Sequence, residues 1–189
     1  MCGRYSITVD QRTIEERFGA KFISGHFESR YEQKYNAAPS QLLPIIRTYR
    51  SHEIVLAKWG FRPEGWKYTR TYDIKPQINA RVETANVKPM FHDSFRTRHC
   101  MVLTDGFYEW KSIRTKNGIR KQPYRFVLRT GEPFAMAGIY AREDGEDPLI
   151  NFAILTTEAN DAVRPIHNRM PPILPLGKEK NWLATTPLA

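Results

Sequence analysis

Four residues in this sequence stand where their types allow chemistry: Cys2, Asn79, Glu109 and His167. Cys2 directly follows Met1, so removal of the methionine would leave a cysteine with a free α-amine. An amine (pKa about 7.7) and a thiol (pKa about 8.5) on one residue form a 1,2-aminothiol, with some neutral amine and some thiolate near pH 7. Such a pair suits an aldehyde. The amine condenses to an imine, the sulfur adds to the imine carbon, and a five-membered thiazolidine closes. Position alone makes Cys2 no more than a small residue in an opening strand, so the reactive reading needs support from elsewhere in the chain.

A nucleophile needs an acid/base beside it. Glu109 lies in Gly106-Phe107-Tyr108-Glu109-Trp110, a strand of otherwise apolar character. Partial burial there would raise its carboxyl pKa and let it shuttle a proton near neutrality. The plainer alternative is a strand glutamate facing solvent. His167 sits among Pro165, Pro171 and Pro172, next to Arg169. It is a candidate second acid/base beside a phosphate-binding cation, or a structural histidine. Asn79 either orients a reacting oxygen or caps a helix that it precedes.

The elements that must position these groups follow from pattern. Residues 4–8 alternate as a short strand. Asp10 caps a helix through Phe18, and Gly19 stops it. Residues 20–40 read as irregular. Residues 42–46 and 53–59 read as strands, followed by a turn-rich stretch with Trp59 and Trp66, either core packing or a surface on which bases lie. A helix is expected from Asn79 toward Phe91, broken or bent at Pro89, with a second helical stretch to Arg98. Strands follow at 100–104, 107–113, 124–129, 134–140 and 149–156, with Asn117-Gly118 and Asp144-Gly145 as hairpin turns. A short helix is expected at 158–163, then an extended segment around His167. These elements amount to a strand-rich α+β domain over residues 1–189.

Composition sets further bounds. A chain of 189 residues fits one domain with a full core. Only Cys2 and Cys100 are present, which argues against a disulfide framework and against structural zinc; Cys100 reads as a buried strand residue. No signal segment or membrane-length apolar run is found, so the expected setting is soluble and cytoplasmic. The formal charge is +9, and residues 67–125 hold 13 Lys/Arg against 5 Asp/Glu. Aromatic residues run through the same span. A basic, aromatic surface fits single-stranded nucleic acid, although a generally basic protein with core aromatics would show the same composition. No Gly-rich phosphate loop, HExxH or GxSxG is present, which removes the common nucleotide, zinc-protease and serine-hydrolase readings.

Six blocks of this sequence carry a resemblance: Cys2-Gly3-Arg4-Tyr5, Tyr35-Asn36-Ala37-Ala38-Pro39, Trp59-Gly60-Phe61-Arg62-Pro63, Asn79-Ala80-Arg81-Val82-Glu83-Thr84 with Lys88-Pro89-Met90-Phe91, Gly106-Phe107-Tyr108-Glu109-Trp110-Lys111, and His167-Asn168-Arg169-Met170-Pro171. In this order they resemble the SOS-response-associated peptidase (SRAP) family, the abasic-site processing proteins. Departures include Asn168, where the family commonly has aspartate, and a short tail after Leu174.

The resemblance implies a single α+β domain: a twisted, barrel-like, mostly antiparallel β core with a few short flanking helices. It implies a DNA-damage protein, a monomer without metal or cofactor, whose Cys2 traps abasic sites in single-stranded DNA as a thiazolidine crosslink. In a prokaryote it would associate with the nucleoid. Asn79, Glu109 and His167 complete the implied active site, with Arg4, Arg81 and Arg169 as candidate phosphate contacts. Trp59, Trp66, Pro39 and Phe91 are candidate stacking or wedge residues. Two alternatives remain: a cysteine peptidase or N-terminal-nucleophile amidase, including one that acts only to expose its own Cys2, and a non-covalent binder of single-stranded or modified DNA.

Overall fold

Hydrogen bonding around a ring of strands closes the core. The computed structural model describes residues 2–23, 30–65, 75–116, 118–142 and 149–184. The strands are β1 (Arg4–Ile7), β2 (Lys21–Phe22), β3 (Lys34–Ala37), β4 (Leu42–Arg47), β5 (Arg50–Trp59), β6 (Asn79–Arg81), β7 (His99–Thr104), β8 (Gly106–Thr115), β9 (Gly118–Phe126), β10 (Phe134–Arg142), β11 (Ile150–Glu158) and β12 (Arg169–Met170). Around them lie helices α1 (Gln11–Phe18), α2 (Val82–Ala85) and α3 (Pro89–Thr97), and a 3-10 turn at Glu179–Trp182.

Strands β11, β10, β7, β4 and β5 pair in turn through antiparallel ladders, and β5 returns to β11 through the parallel pairs Asn151 with Lys58 and Phe152 with Trp59. The result is a strand-rich α+β core, as the sequence pattern predicts, with the barrel-like closure that the resemblance implies. Strand β10 is buried on both faces from Phe134 to Ala141, and its near-continuous apolar run is what a strand covered on both sides requires. At Gly138 a Cβ would lie 2.9 Å from Ala153 O, Cys100 Sγ and Val102 Cγ2, so only glycine fits where the strands close. Cys100 is a buried strand residue, as its pattern suggested.

A second sheet, ordered β3-β1-β8-β9, lies against this core. Strand β1 sits between β3 and β8, with Arg4 opposite Tyr108, Tyr5 opposite Phe107 and Ser6 opposite Gly106. The sheets are joined where β7 runs into β8. There Asp105 receives Ser6 Oγ at 2.6 Å, Thr8 Oγ1 at 2.6 Å and the Arg125 guanidinium at 2.8 Å. These bonds hold the carboxyl below its ordinary value despite the opposing effect of burial, the largest single influence on it.

The strong local signals hold in the structure. Asp10 Oδ1 accepts the backbone N–H of Thr13 at 2.8 Å and Gly19 ends α1 at φ 57°. Elsewhere the structure differs. Asn79 does not open a helix: residues 79–81 form β6, and α2 begins at Val82. Of the two outcomes expected at Pro89, a break or a bend, the structure has the break: Pro89 starts α3, where its missing N–H is harmless. Residues 161–166 form turns rather than a helix, with Asn160 Oδ1 accepting the N–H groups of Ala162 and Val163. The stretch 20–40 contains β2 and β3. Trp66, Asn117 and Asp144-Gly145 lie outside the described residues. No described helix is long and apolar enough to cross a membrane.

Candidate functional site

Strand alternation in β8 places the carboxylate. Phe107 and Glu109 are 1% and 2% exposed, whereas Tyr108 and Trp110 are half-buried, so Glu109 points inward with the core side chains. Continuing the β1–β8 register beyond Arg4 and Tyr108 brings the chain at Gly3 and Cys2 alongside Glu109 and Trp110. Cys2 is itself fully buried.

His167 arrives from the opposite side. Strands β11 and β12 pair through Thr157 with Met170 and Glu158 with Arg169, and His167 lies in the loop between them. Its backbone N–H donates to Val163 O at 3.0 Å, closing the turns that the Asn160 side chain initiates. The ring Nδ1 accepts the N–H of Arg169 at 3.0 Å and lies 3.9 Å from Glu109 Oε1. Asn79 is held by β6, which pairs in parallel with β11. Its Nδ2 donates weakly to Ile154 O at 3.4 Å, and its Oδ1 is buried without a hydrogen-bond partner. A buried acceptor left open costs about 1–3 kcal/mol and marks a place where a donor is expected to arrive.

The electrostatics follow from burial. Desolvation raises the Glu109 pKa above its ordinary value, while the positive charges of the amino terminus and of His167 pull it down. The glutamate is thus more deeply buried than expected, and the direction of its shift is the expected one. For Cys2 burial is again the largest influence, and the Glu109 charge adds to it; together they push the thiol well above its ordinary value. Sγ–H donates only a long bond, 3.8 Å, to Arg4 O. Burial of the sulfur thus works against the thiolate fraction expected near pH 7 for a Met1-free Cys2, and the thiol calls for a base at the moment it attacks.

Cys2, Glu109 and His167 are thus linked by proximity and charge, and Asn79 lies along the β11 edge that also carries the His167 loop. The candidate DNA contacts divide differently. Arg4 is half-buried and donates to Asn36 Oδ1 at 2.9 Å, Arg81 is exposed, and Pro39 is half-buried in the turn after β3. Arg169 is 8% exposed, and its guanidinium grips Glu83 with bonds of 2.6 and 2.8 Å and Thr156 O at 2.6 Å. In this arrangement it ties α2 and β11 to the His167 loop and presents no free charge to a phosphate. Trp59 is fully buried, its ring near Tyr5 and Phe152 and its Nε1–H on Ile78 O at 2.9 Å. Phe91 is buried against Phe61. Both are core residues without a face for a base, which corrects the stacking assignment.

Sequence reasoning missed the Glu83–Arg169 pair, although both residues stood in the quoted blocks. It also missed Asp105, for which no local signal exists, because its partners Ser6, Thr8 and Arg125 are far away in the chain. Among the described residues no group of three or more His, Cys, Asp or Glu side chains could hold a metal ion.

The fold and the sequence have known counterparts. A protein from Bacteroides thetaiotaomicron superposes with a TM-score of 0.83 at 26% identity, over 100% of this chain and 82% of the other. In sequence, the abasic site processing protein YoqW of Bacillus subtilis (strain 168) is 36% identical over 187 residues, 97% of this chain and 80% of the relative. The abasic site processing protein YedK of Escherichia coli (strain K12) is 32% identical over 152 residues, 79% of this chain and 64% of the relative. The family model for SOS response associated peptidase (SRAP) matches residues 1–188. With that match along nearly its whole length, the chain belongs to the SRAP family.

Proposed function

We propose that this protein, once Met1 is removed, captures abasic sites in single-stranded DNA through Cys2 as a thiazolidine crosslink that shields the lesion from strand cleavage. The observation that carries this reading is the buried carboxyl of Glu109, 3.9 Å from His167 and close enough to Cys2 to raise the pKa of its thiol. The relatives named for abasic site processing supply the electrophile, the aldehyde of the ring-opened sugar.

The steps use the groups in order. Proton transfer by His167 and Glu109 opens the sugar hemiacetal, moving a proton from the anomeric hydroxyl to the ring oxygen. The Cys2 amine adds to the aldehyde, and the raised pKa of Glu109 keeps a proton available for the hydroxyl that leaves as water. Glu109, now a carboxylate, takes the thiol proton as sulfur bonds to the imine carbon. The iminium nitrogen keeps its one hydrogen and the thiol proton restores the Glu109 acid, so the ring closes with loss of one water overall. Asn79 Oδ1, buried and open, suits an N–H of the Cys2 amine and would hold its lone pair toward the aldehyde.

An amidase or peptidase would instead need donors converging on an oxyanion, and gains nothing from a strongly basic middle segment. Incubating Met1-free protein with a single-stranded oligonucleotide bearing one abasic site distinguishes these readings. A slow band on a denaturing gel, absent with Cys2→Ala unless borohydride traps the imine, is the predicted result. No band at all would rule the reading out.

A further inference from the structure

Strands β8 and β9 continue well past the barrel. From Ser112 to Thr115 and from Gly118 to Lys121 every described residue is exposed, so this end of the hairpin is a two-stranded ribbon standing in solvent. Residues 110–131 contain seven Lys/Arg and no Asp/Glu. Lys111, Arg114, Lys116, Arg120 and Lys121 form no ion pair among the described residues. Their recorded contacts are neutral: Arg120 donates to Gln122 Oε1 and Lys121 to Ser112 Oγ, each at 2.6 Å. An isolated ribbon is marginal in water, and repulsion among unpaired like charges weakens it further. Such an arrangement gains from a polyanionic partner.

The register gives the ribbon a direction. Direct pairs share a face, so Glu109 with Tyr124, Lys111 with Gln122 and Ile113 with Arg120 form one continuous face. It starts at the buried carboxyl and runs outward over a half-buried lysine to an exposed arginine, with Tyr124 and Ile113 partly exposed between the charges. The other face carries Arg114 and Lys121. Cations interleaved with exposed apolar side chains suit a strand whose bases are unstacked, whereas a duplex hides those base faces.

We infer that the β8–β9 ribbon is an arm that grips the phosphates of the single strand leaving the site, beyond the nucleotides that the barrel itself holds. This rests on the reading of the site as one for single-stranded DNA. It adds a contact surface whose purpose is affinity along the strand rather than chemistry at the lesion.

The test compares the Met1-free protein with a variant carrying Lys111→Gln, Arg114→Gln, Arg120→Gln and Lys121→Gln, and with a charge-preserving control carrying Lys111→Arg, Arg114→Lys, Arg120→Lys and Lys121→Arg. Binding of a long unmodified single strand is measured over a range of salt. The neutralised variant is expected to lower the slope of log K against log salt by about 3, from four contacts at about 0.7 each, while the control keeps it. Crosslinking to a five-nucleotide strand with a central abasic site is expected to match the unaltered protein. An unchanged slope on the long strand overturns the arm, as does an equal loss on the five-nucleotide strand, which would put the cations at the lesion. A loss seen only with a duplex flank overturns the single-strand assignment. Failure of the unaltered protein to crosslink would refute the function proposed above, while the salt slope still decides the arm.

Discussion

Glu109 Oε1 and His167 Nδ1 lie 3.9 Å apart, and the same ring nitrogen accepts the backbone N–H of Arg169 at 3.0 Å. The ring Nδ1 also lies 3.2 Å from Arg169 O, so the imidazole sits between the Arg169 backbone and the buried carboxyl. Burial raises the Glu109 carboxyl above its ordinary value, with the nearby amino terminus and His167 opposing that rise, which suits a group that must both give and take a proton.

Glu109 should therefore make stability depend on pH in a defined sense. Burial raises its folded pKa above the ordinary 4.5, so between those two values the folded state binds more protons than the unfolded one, and stability falls as pH rises. Glu109→Gln keeps the shape and cannot ionise. Thermal melts across that range should show the unaltered protein losing Tm relative to the variant as pH increases, with crosslinking strongly reduced in the variant. Parallel melting curves would show that the carboxyl is not desolvated.

Cys2 should resist alkylation in the folded protein. Its sulfur is fully buried and its thiol is held protonated. Mass spectrometry after iodoacetamide treatment at pH 8 should find Cys2 and Cys100 both slow in buffer and both fast in urea. Rapid native labelling of Cys2 would mean an exposed thiolate, and would remove the need for Glu109 as a base.

Glu83→Ala should destabilise the protein by about 2 kcal/mol in urea unfolding, because it leaves the charged Arg169 without its two carboxylate bonds. The Arg169 contact, foremost among its influences, holds the Glu83 carboxyl down to about 2. A carboxyl lowered in the folded state stabilises above its ordinary pKa, here 4.5, and loses that contribution as pH falls toward 2. The difference between variant and unaltered protein should accordingly shrink with acid. Since Arg169 also donates to His167, the crosslinking rate should fall as well.

Trp59→Phe tests a core assignment against a DNA-contact one. Losing the Nε1–H bond to Ile78 O should cost about 1–2 kcal/mol of stability, with affinity for single-stranded DNA unchanged in a filter-binding titration. A lower affinity with unchanged stability would return Trp59 to the interface.

The sequence revealed what local chemistry controls. The Asp10 cap, the Gly19 stop and the apolar run of β10 each identify an element from within a few residues, whereas the apolar neighbours of Glu109 left open whether it faces inward or to solvent. What depends on distant partners was not legible. Residues 79–81 form a strand because residues 154–156 offer a free edge, which outweighs the helix pattern that follows. Trp59 and Phe91 are core residues because the barrel closes around them, and aromatic composition cannot separate a packed ring from an exposed one. The burial of Cys2 was not legible for the same reason, since a free thiol knows nothing of a packed core or of a carboxylate brought from more than a hundred residues away.

The central claim is that Cys2, as amine and thiol together, bonds to the sugar of an abasic site. Intact-mass spectrometry of the protein after incubation with a single-stranded abasic oligonucleotide, without reductant, measures this directly. The predicted species has the mass of the chain without Met1 plus the strand, less one water, and fragments at Cys2. A species that retains Met1, is attached at any other residue, or forms equally well with Cys2→Ala would contradict it.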